Sequence, residues 1–159
     1  MIEPVDFAFQ HVGLERSEPL RCQPQQLDAL WATGKVIVLN EHGDACCANA
    51  QQIFFATENI SQNRPHHATF LGLHDGLGYF AITLESTHLL GMETVNIRSA
   101  ASTWPVLQSS IFAQAKALLH WQSQSKFCGR CGGLVDLKSA GYSAACSSCG
   151  LITYPQSHP

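Results

Sequence analysis

The chain has 159 residues, 45% of them apolar and 13% charged, with a formal net charge of −3. That length suits one ordinary domain, or one domain with a small satellite, and the apolar fraction supports a buried core rather than long disorder. The acidic balance argues against a protein that grips a polyphosphate backbone, and no apolar run approaches the about 18 residues of a membrane span.

The N-terminus carries Glu3 and Asp6 and lacks a basic-then-apolar leader pattern. The seven cysteines are therefore expected to be reduced, in a cytoplasmic chain. An odd count suits a metal site plus spare thiols better than a disulfide framework. Cys22, Cys46 and Cys47 lie far from the C-terminal group and read as buried small hydrophobes with no assigned function.

Residues 1–20 read as irregular, with a short strand around Phe7–Phe9. Pro24 is placed to open a helix over Gln26–Ala32 that stops before Gly34. Lys35–Asn40 is β-rich and ends at the turn-prone Glu41-His42-Gly43-Asp44, after which Ala45–Ala50 returns as a paired strand. Phe70–Leu73 and Tyr79–Leu84 flank His74-Asp75-Gly76-Leu77-Gly78 and predict a hairpin with a glycine-rich loop. A further strand is predicted at Glu93–Ile97. The period then changes: Ile111, Ala115, Leu118 and Gln122 share one stripe, with Phe112 and Leu119 beside it, which predicts a helix over Leu107–Gln124. The fold class is α+β. A mostly antiparallel sheet with helices occupies residues 1–125, and a small four-cysteine module, read as a zinc ribbon, occupies 126–159.

That module is the strongest signal in the chain. Cys128-x-x-Cys131 and Cys146-x-x-Cys149 are separated by fourteen residues, and Gly132 and Gly150 follow the second cysteine of each pair. Each pair can bite one metal from a tight turn, and the glycines tolerate the positive φ that turns backbone N–H groups toward the sulfurs. The intervening residues suffice for strands at Leu134–Leu137 and Tyr142–Ala145, turning at Ser139-Ala140-Gly141. Four soft ligands with no open position favour a closed structural Zn²⁺ site, with iron or paired disulfides as the alternatives. From Lys126 onward, Lys126, Arg130 and Lys138 stand against Asp136, and four thiolates around Zn²⁺ cancel that excess, so no basic stripe marks a nucleic-acid ribbon.

The junction Ala117-Leu118-Leu119-His120-Trp121 followed by Lys126-Phe127-Cys128-Gly129-Arg130-Cys131-Gly132 resembles the helix-to-ribbon junction of the NADH pyrophosphatases of the Nudix superfamily. Tyr154-Pro155-Gln156-Ser157-His158-Pro159 is similar to the segment by which those enzymes pass from ribbon to catalytic domain. Phe70–Gly76 resembles a hairpin of their N-terminal domain. The resemblance covers about residues 35–159. It implies an N-terminal α+β domain, a zinc ribbon and a Nudix domain, assembled as a homodimer. The intact enzyme would hydrolyse the diphosphate of NADH, NAD⁺ and NAD-capped RNA with Mg²⁺ or Mn²⁺. It also places Tyr154 at the substrate pocket, stacked on a ring of the dinucleotide. The alternative for Tyr154 is packing under the ribbon.

The Nudix metal-binding helix needs an Arg-Glu pair and adjacent glutamates. Here the five arginines precede Ser17, Cys22, Pro65, Ser99 and Cys131, no two glutamates are adjacent, and none follows Glu93. The chain therefore reads as the family's first two parts, without the third, and is expected to be inactive alone. A stand-alone zinc-ribbon module that binds protein or nucleic acid is the alternative. Elsewhere, His66-His67 reads as a solvated loop and His120 as packed or capping. Gly72, Gly76 and Gly78 read as hairpin glycines rather than a phosphate loop.

Overall fold

The computed structural model describes residues 14–47, 54–88 and 91–155. The expected strand at Phe7–Phe9 and the end of the one at Ala45–Ala50 lie outside these residues. A 3₁₀ turn, Glu18–Cys22, leads into α1, Pro24–Thr33. The strands β1 (Lys35–Leu39), β2 (Ala45–Cys47), β3 (Phe54–Ala56), β4 (Thr69–His74), β5 (Leu77–Thr83) and β6 (Glu93–Val95) follow. They form one sheet in the order β4-β5-β1-β2-β6, with β3 also on β1. All pairings in it are antiparallel except β1 with β5. The mostly antiparallel sheet expected from sequence is present, with one parallel pair at its centre.

β1 explains the layering. Its last four residues are buried and, because successive side chains point to opposite faces, they serve two cores. Val36 and Val38 join Leu27 and Trp31 of α1 with Phe70, Phe80 and Ile82. Ile37 and Leu39 face the other way and join Leu71 and Ala81. The helices that close this second face are α2 (Ile97–Thr103) and α3 (Val106–Gln124). Ile111, Phe112, Ala115 and Leu118 are its buried stripe, as the spacing predicts. Thus the sheet lies between α1 and α3.

Two local expectations change. The β4–β5 loop is only Asp75-Gly76, both at positive φ (51° and 77°), the geometry of a two-residue I′ turn. Leu77 and Gly78, expected in the loop, belong to β5. At Ile97 the predicted strand gives way to α2, because the Asn96 side chain accepts from the Ser99 N–H at 2.8 Å and caps a new helix.

After α3 the chain enters a second sheet, β7 (Val135–Lys138), β8 (Ser143–Cys146) and β9 (Ile152–Thr153), in that order and antiparallel throughout. Leu134, expected to begin the first of these strands, stands outside β7 and forms an isolated bridge with Phe127. β9 escapes sequence reading because two residues carry no periodicity. The β7–β8 turn docks on the larger body. Gln122 Nε2 donates to Gly141 O (3.0 Å) and Thr69 Oγ1 (2.8 Å), and Gln114 Nε2 donates to Leu71 O (3.2 Å) and Tyr142 OH (3.3 Å). Gly141 sits at φ 99°, and a Cβ there would meet Gln122 Nε2 at 2.5 Å and Thr69 Oγ1 at 2.7 Å. Gly141→Ala should therefore lower stability by roughly 1–3 kcal/mol, read as a drop in Tm, with the metal content of the ribbon unchanged. A melting curve identical to wild type would show that this turn is not docked.

Candidate metal centre

Two backbone turns with the same wiring build the site. In the first, Gly132 N–H donates to Cys128 O (2.9 Å) and Cys128 N–H to Gly133 O (2.7 Å). In the second, Gly150 N–H donates to Cys146 O (3.1 Å) and Cys146 N–H to Leu151 O (2.9 Å). Gly132 and Gly150 have φ 77° and 76°, in the region that glycine enters without a Cβ penalty. So the Cys-x-x-Cys-Gly pattern acts locally: the glycine closes each turn and leaves two thiols on its inner side.

The turns bring the four sulfurs within 4.8 Å of one another. Cys128 and Cys149 Sγ are 3.6 Å apart, Cys131 and Cys146 Sγ 3.4 Å. These are not disulfide separations, and all seven cysteines are free. A tetrahedron with metal–sulfur bonds of about 2.3 Å has sulfur–sulfur edges of about 3.8 Å, so these two edges match Zn²⁺ to within a few tenths of an ångström. It is the only such cluster among the described residues.

Backbone N–H groups favour thiolates here. Arg130 N–H approaches Cys128 Sγ at 3.3 Å, Gly133 N–H approaches Cys131 Sγ at 3.4 Å, and Ser148 and Cys149 N–H approach Cys146 Sγ at 3.4 Å. The Cys149 and Ser148 N–H groups bring the Cys146 thiol down to about 6. Cys128 is also lowered, chiefly by the N–H groups of Cys131 and Arg130. Gly133 N–H pulls Cys131 in the same direction, but the neighbouring sulfurs of Cys146 and Cys149 outweigh it and raise Cys131 to about 11. One thiol resists ionisation because its neighbours already carry the negative charge. A divalent cation among them removes that conflict.

The remaining thiols do no comparable work. Burial pushes Cys46 up to about 11 and also raises Cys47, and both are buried as expected. Cys22, expected to be buried, is exposed and lies 3.8 Å from Ser139 Oγ, because it ends the 3₁₀ turn that packs on the ribbon's hairpin. His66 and His67 are exposed. His120 is exposed too, at the rim of a cleft of about 1060 Å³ between α3, the ribbon and the segment before α1. It is exposed rather than packed, and its side chain caps nothing among the described residues. Tyr154 is 65% exposed and lines the same cleft. The polar residues that dock the ribbon (Arg21, Gln114, Gln122 and Tyr142) were not singled out from sequence for that role. No spacing rule joins residues so far apart in the chain.

With this geometry in hand, the chain can be set beside known proteins. Residues 123–154 match the model of the NADH pyrophosphatase zinc ribbon domain, and residues 34–121 match that of the NADH pyrophosphatase-like rudimentary NUDIX domain. The chain is similar to the human (Homo sapiens) protein named NAD(P)H pyrophosphatase NUDT13, mitochondrial, at 29% identity over 119 residues. The similarity covers 71% of this chain and 29% of that protein, so the chain spans less than a third of its relative's length.

Purified chain should carry one zinc by elemental analysis. Cys146→Ser should lose it and unfold β7–β9, since binding and folding are coupled in modules this small. Amide exchange would then show lost protection from Cys128 onward while β1 and β5 stay protected. Full ribbon protection after chelation would contradict the assignment.

Proposed function

This chain belongs to the NADH pyrophosphatase family of the Nudix superfamily, and from that premise we infer that it supplies the non-catalytic part of such an enzyme. Residues 1–125 would be the N-terminal α+β domain and 126–159 the zinc ribbon with its linker. The observation that carries this reading is the pair of identical cysteine turns converging four sulfurs, immediately after a helix that also fits the family. Zinc held by Cys128, Cys131, Cys146 and Cys149 would act as a structural cross-link, with no position open for chemistry. Free cysteines throughout suit a reducing compartment such as the cytoplasm, and no helix among the described residues is long and apolar enough to cross a membrane.

In the intact enzyme, hydrolysis of the NADH or NAD⁺ diphosphate to NMN(H) and AMP, and of NAD-capped RNA, would rest on a Nudix domain and its Mg²⁺ or Mn²⁺. This sequence contains no glutamate cluster able to hold those ions. The role left to it is scaffold and dimerisation. The exposed large hydrophobics among the described residues are Phe127, Leu134, Ile152 and Tyr154, all on the ribbon, which supports a surface covered in a homodimer. The same exposure favours a second reading, a ribbon that docks a separate protein. Sedimentation separates the two: a purified chain that stays monomeric at high concentration would argue for the separate partner.

Incubated with NADH and Mg²⁺ or Mn²⁺, the chain should release no NMNH or AMP above a blank. Turnover in preparations free of host enzyme would overturn the assignment of a non-catalytic role.

Tyr154 is proposed as a substrate contact. Proline at 155 holds it extended, five residues beyond the last zinc ligand, and stacking of a nicotinamide or adenine ring on an aromatic face is worth roughly 1–3 kcal/mol. In the enzyme that joins this region to a Nudix domain, Tyr154→Ala should raise KM for NADH by about tenfold or more, at unchanged zinc content. Tyr154→Phe should be nearly neutral. Unaltered kinetics in the alanine variant would mean that the ring touches no substrate.

A further inference from the structure

The cleft beside α3 contains an arrangement that the zinc site does not use. Its floor is a single stripe of the helix, in which Ser110, Gln114, Ala117 and Trp121 recur three and four residues apart. At one end stands Tyr142. The Arg21 guanidinium lies 3.5 Å from the centroid of its ring, and its hydroxyl accepts from Gln114 Nε2, which leaves the hydroxyl proton free to donate. Burial holds that phenol above its ordinary value, against the opposing pull of Arg21, Gln114 and Arg16, so the proton is present at neutral pH.

Two polar atoms at this end, Arg21 Nε and Gln114 Oε1, are buried with no hydrogen-bond partner among the described residues. Arg16 also lines the cleft, and neither arginine is in an ion pair among the described residues. Glu18 shares the rim, so two guanidiniums stand against one carboxylate. An unmet buried donor beside an unmet buried acceptor is a costly arrangement unless a ligand satisfies both. A phosphate ester on a hydroxylated sugar does so: its oxygens accept from the arginines and Tyr142, and a sugar hydroxyl donates to Gln114 Oε1. Two helical turns away, about 11 Å along α3, lies the half-buried Trp121. It joins neither hydrophobic core and pairs with no other ring among the described residues. Its indole is available to a planar base.

We propose that this cleft binds a nucleoside 5′-monophosphate, with the phosphate at Arg16, Arg21 and Tyr142 and the base against Trp121. Tyr154 lines the same cleft, but the proposed phosphate seat and base platform do not use it and need no Nudix domain, so Arg16 and Trp121 variants test this site apart from the reading of Tyr154.

The zinc-loaded chain is titrated calorimetrically with AMP, with adenosine and with inorganic phosphate. AMP should bind saturably at one site, with adenosine and phosphate each weaker by roughly tenfold or more. Arg16→Gln removes an exposed side chain that forms no ion pair among the described residues, and should weaken AMP about three- to tenfold while leaving adenosine unchanged. Trp121→Leu should weaken AMP and adenosine together and leave phosphate unchanged. Arg21→Met should weaken AMP most; zinc content and Tm show whether the ribbon stays docked, and Arg16→Gln tests the phosphate seat independently of that. Absence of saturable AMP binding, AMP binding no tighter than phosphate, or AMP affinity indifferent to both Arg16→Gln and Trp121→Leu would overturn the site.

Discussion

Four sulfurs within 4.8 Å of one another impose the constraint on which the C-terminal fifth depends. They cannot all ionise against one another in the absence of a cation, and within each Cys-x-x-Cys turn the two sulfurs are held by that turn's own backbone hydrogen bonds. No apolar core stands ready to replace them. Between 126 and 155 the buried hydrophobic residues are Cys128, Ala144 and Cys146, and one alanine cannot hold three strands together. Binding of a structural zinc contributes on the order of 10 kcal/mol in modules of this size, comparable to the whole stability of an ordinary domain. Zinc bound there would make the ribbon's folding and its metal binding one equilibrium.

The larger body has the opposite economy. It buries aromatic and branched side chains on both faces of a sheet whose central strand has no solvent-facing side. α3 connects the two regimes. One stripe closes the core with Ile111, Phe112, Ala115 and Leu118, and its glutamines reach across to the β7–β8 turn. Those amide contacts fix the ribbon's orientation. They are neutral hydrogen bonds, each worth about 1 kcal/mol. Their position is secured by close backbone approach at Gly141 and by the Arg21–Tyr142 stack rather than by apolar area. Whatever Tyr154 touches, its placement depends on this joint and on the four-cysteine site together.

The ribbon's charges point the same way as its structure. Its few fixed cations are offset by the thiolate site, so electrostatic attraction to a polyanion is not built into it. What it exposes instead is apolar: Phe127, Leu134, Ile152 and Tyr154. Specific contacts to protein or to a planar ring suit such a surface better than counterion release does.

The sequence by itself determined the features that short-range rules encode. The α3 stripe, the buried β1, the β4–β5 hairpin and the metal-ligand pattern are all local: a period of 3.6 or 2, a turn residue, or two thiols three positions apart. Even where boundaries moved, the cause was local, as at Asn96, whose cap ends an expected strand and opens α2. Only the tertiary structure decided the parallel β1–β5 pairing, the burial of the sheet between two helices, and the cleft. Arg21, Gln114 and Tyr142 meet from three separate elements, and nothing in the spacing of these residues distinguishes them from solvent-exposed polar side chains. Long-range contacts are selected by how packed layers fit, and that fit exists only once the chain has folded.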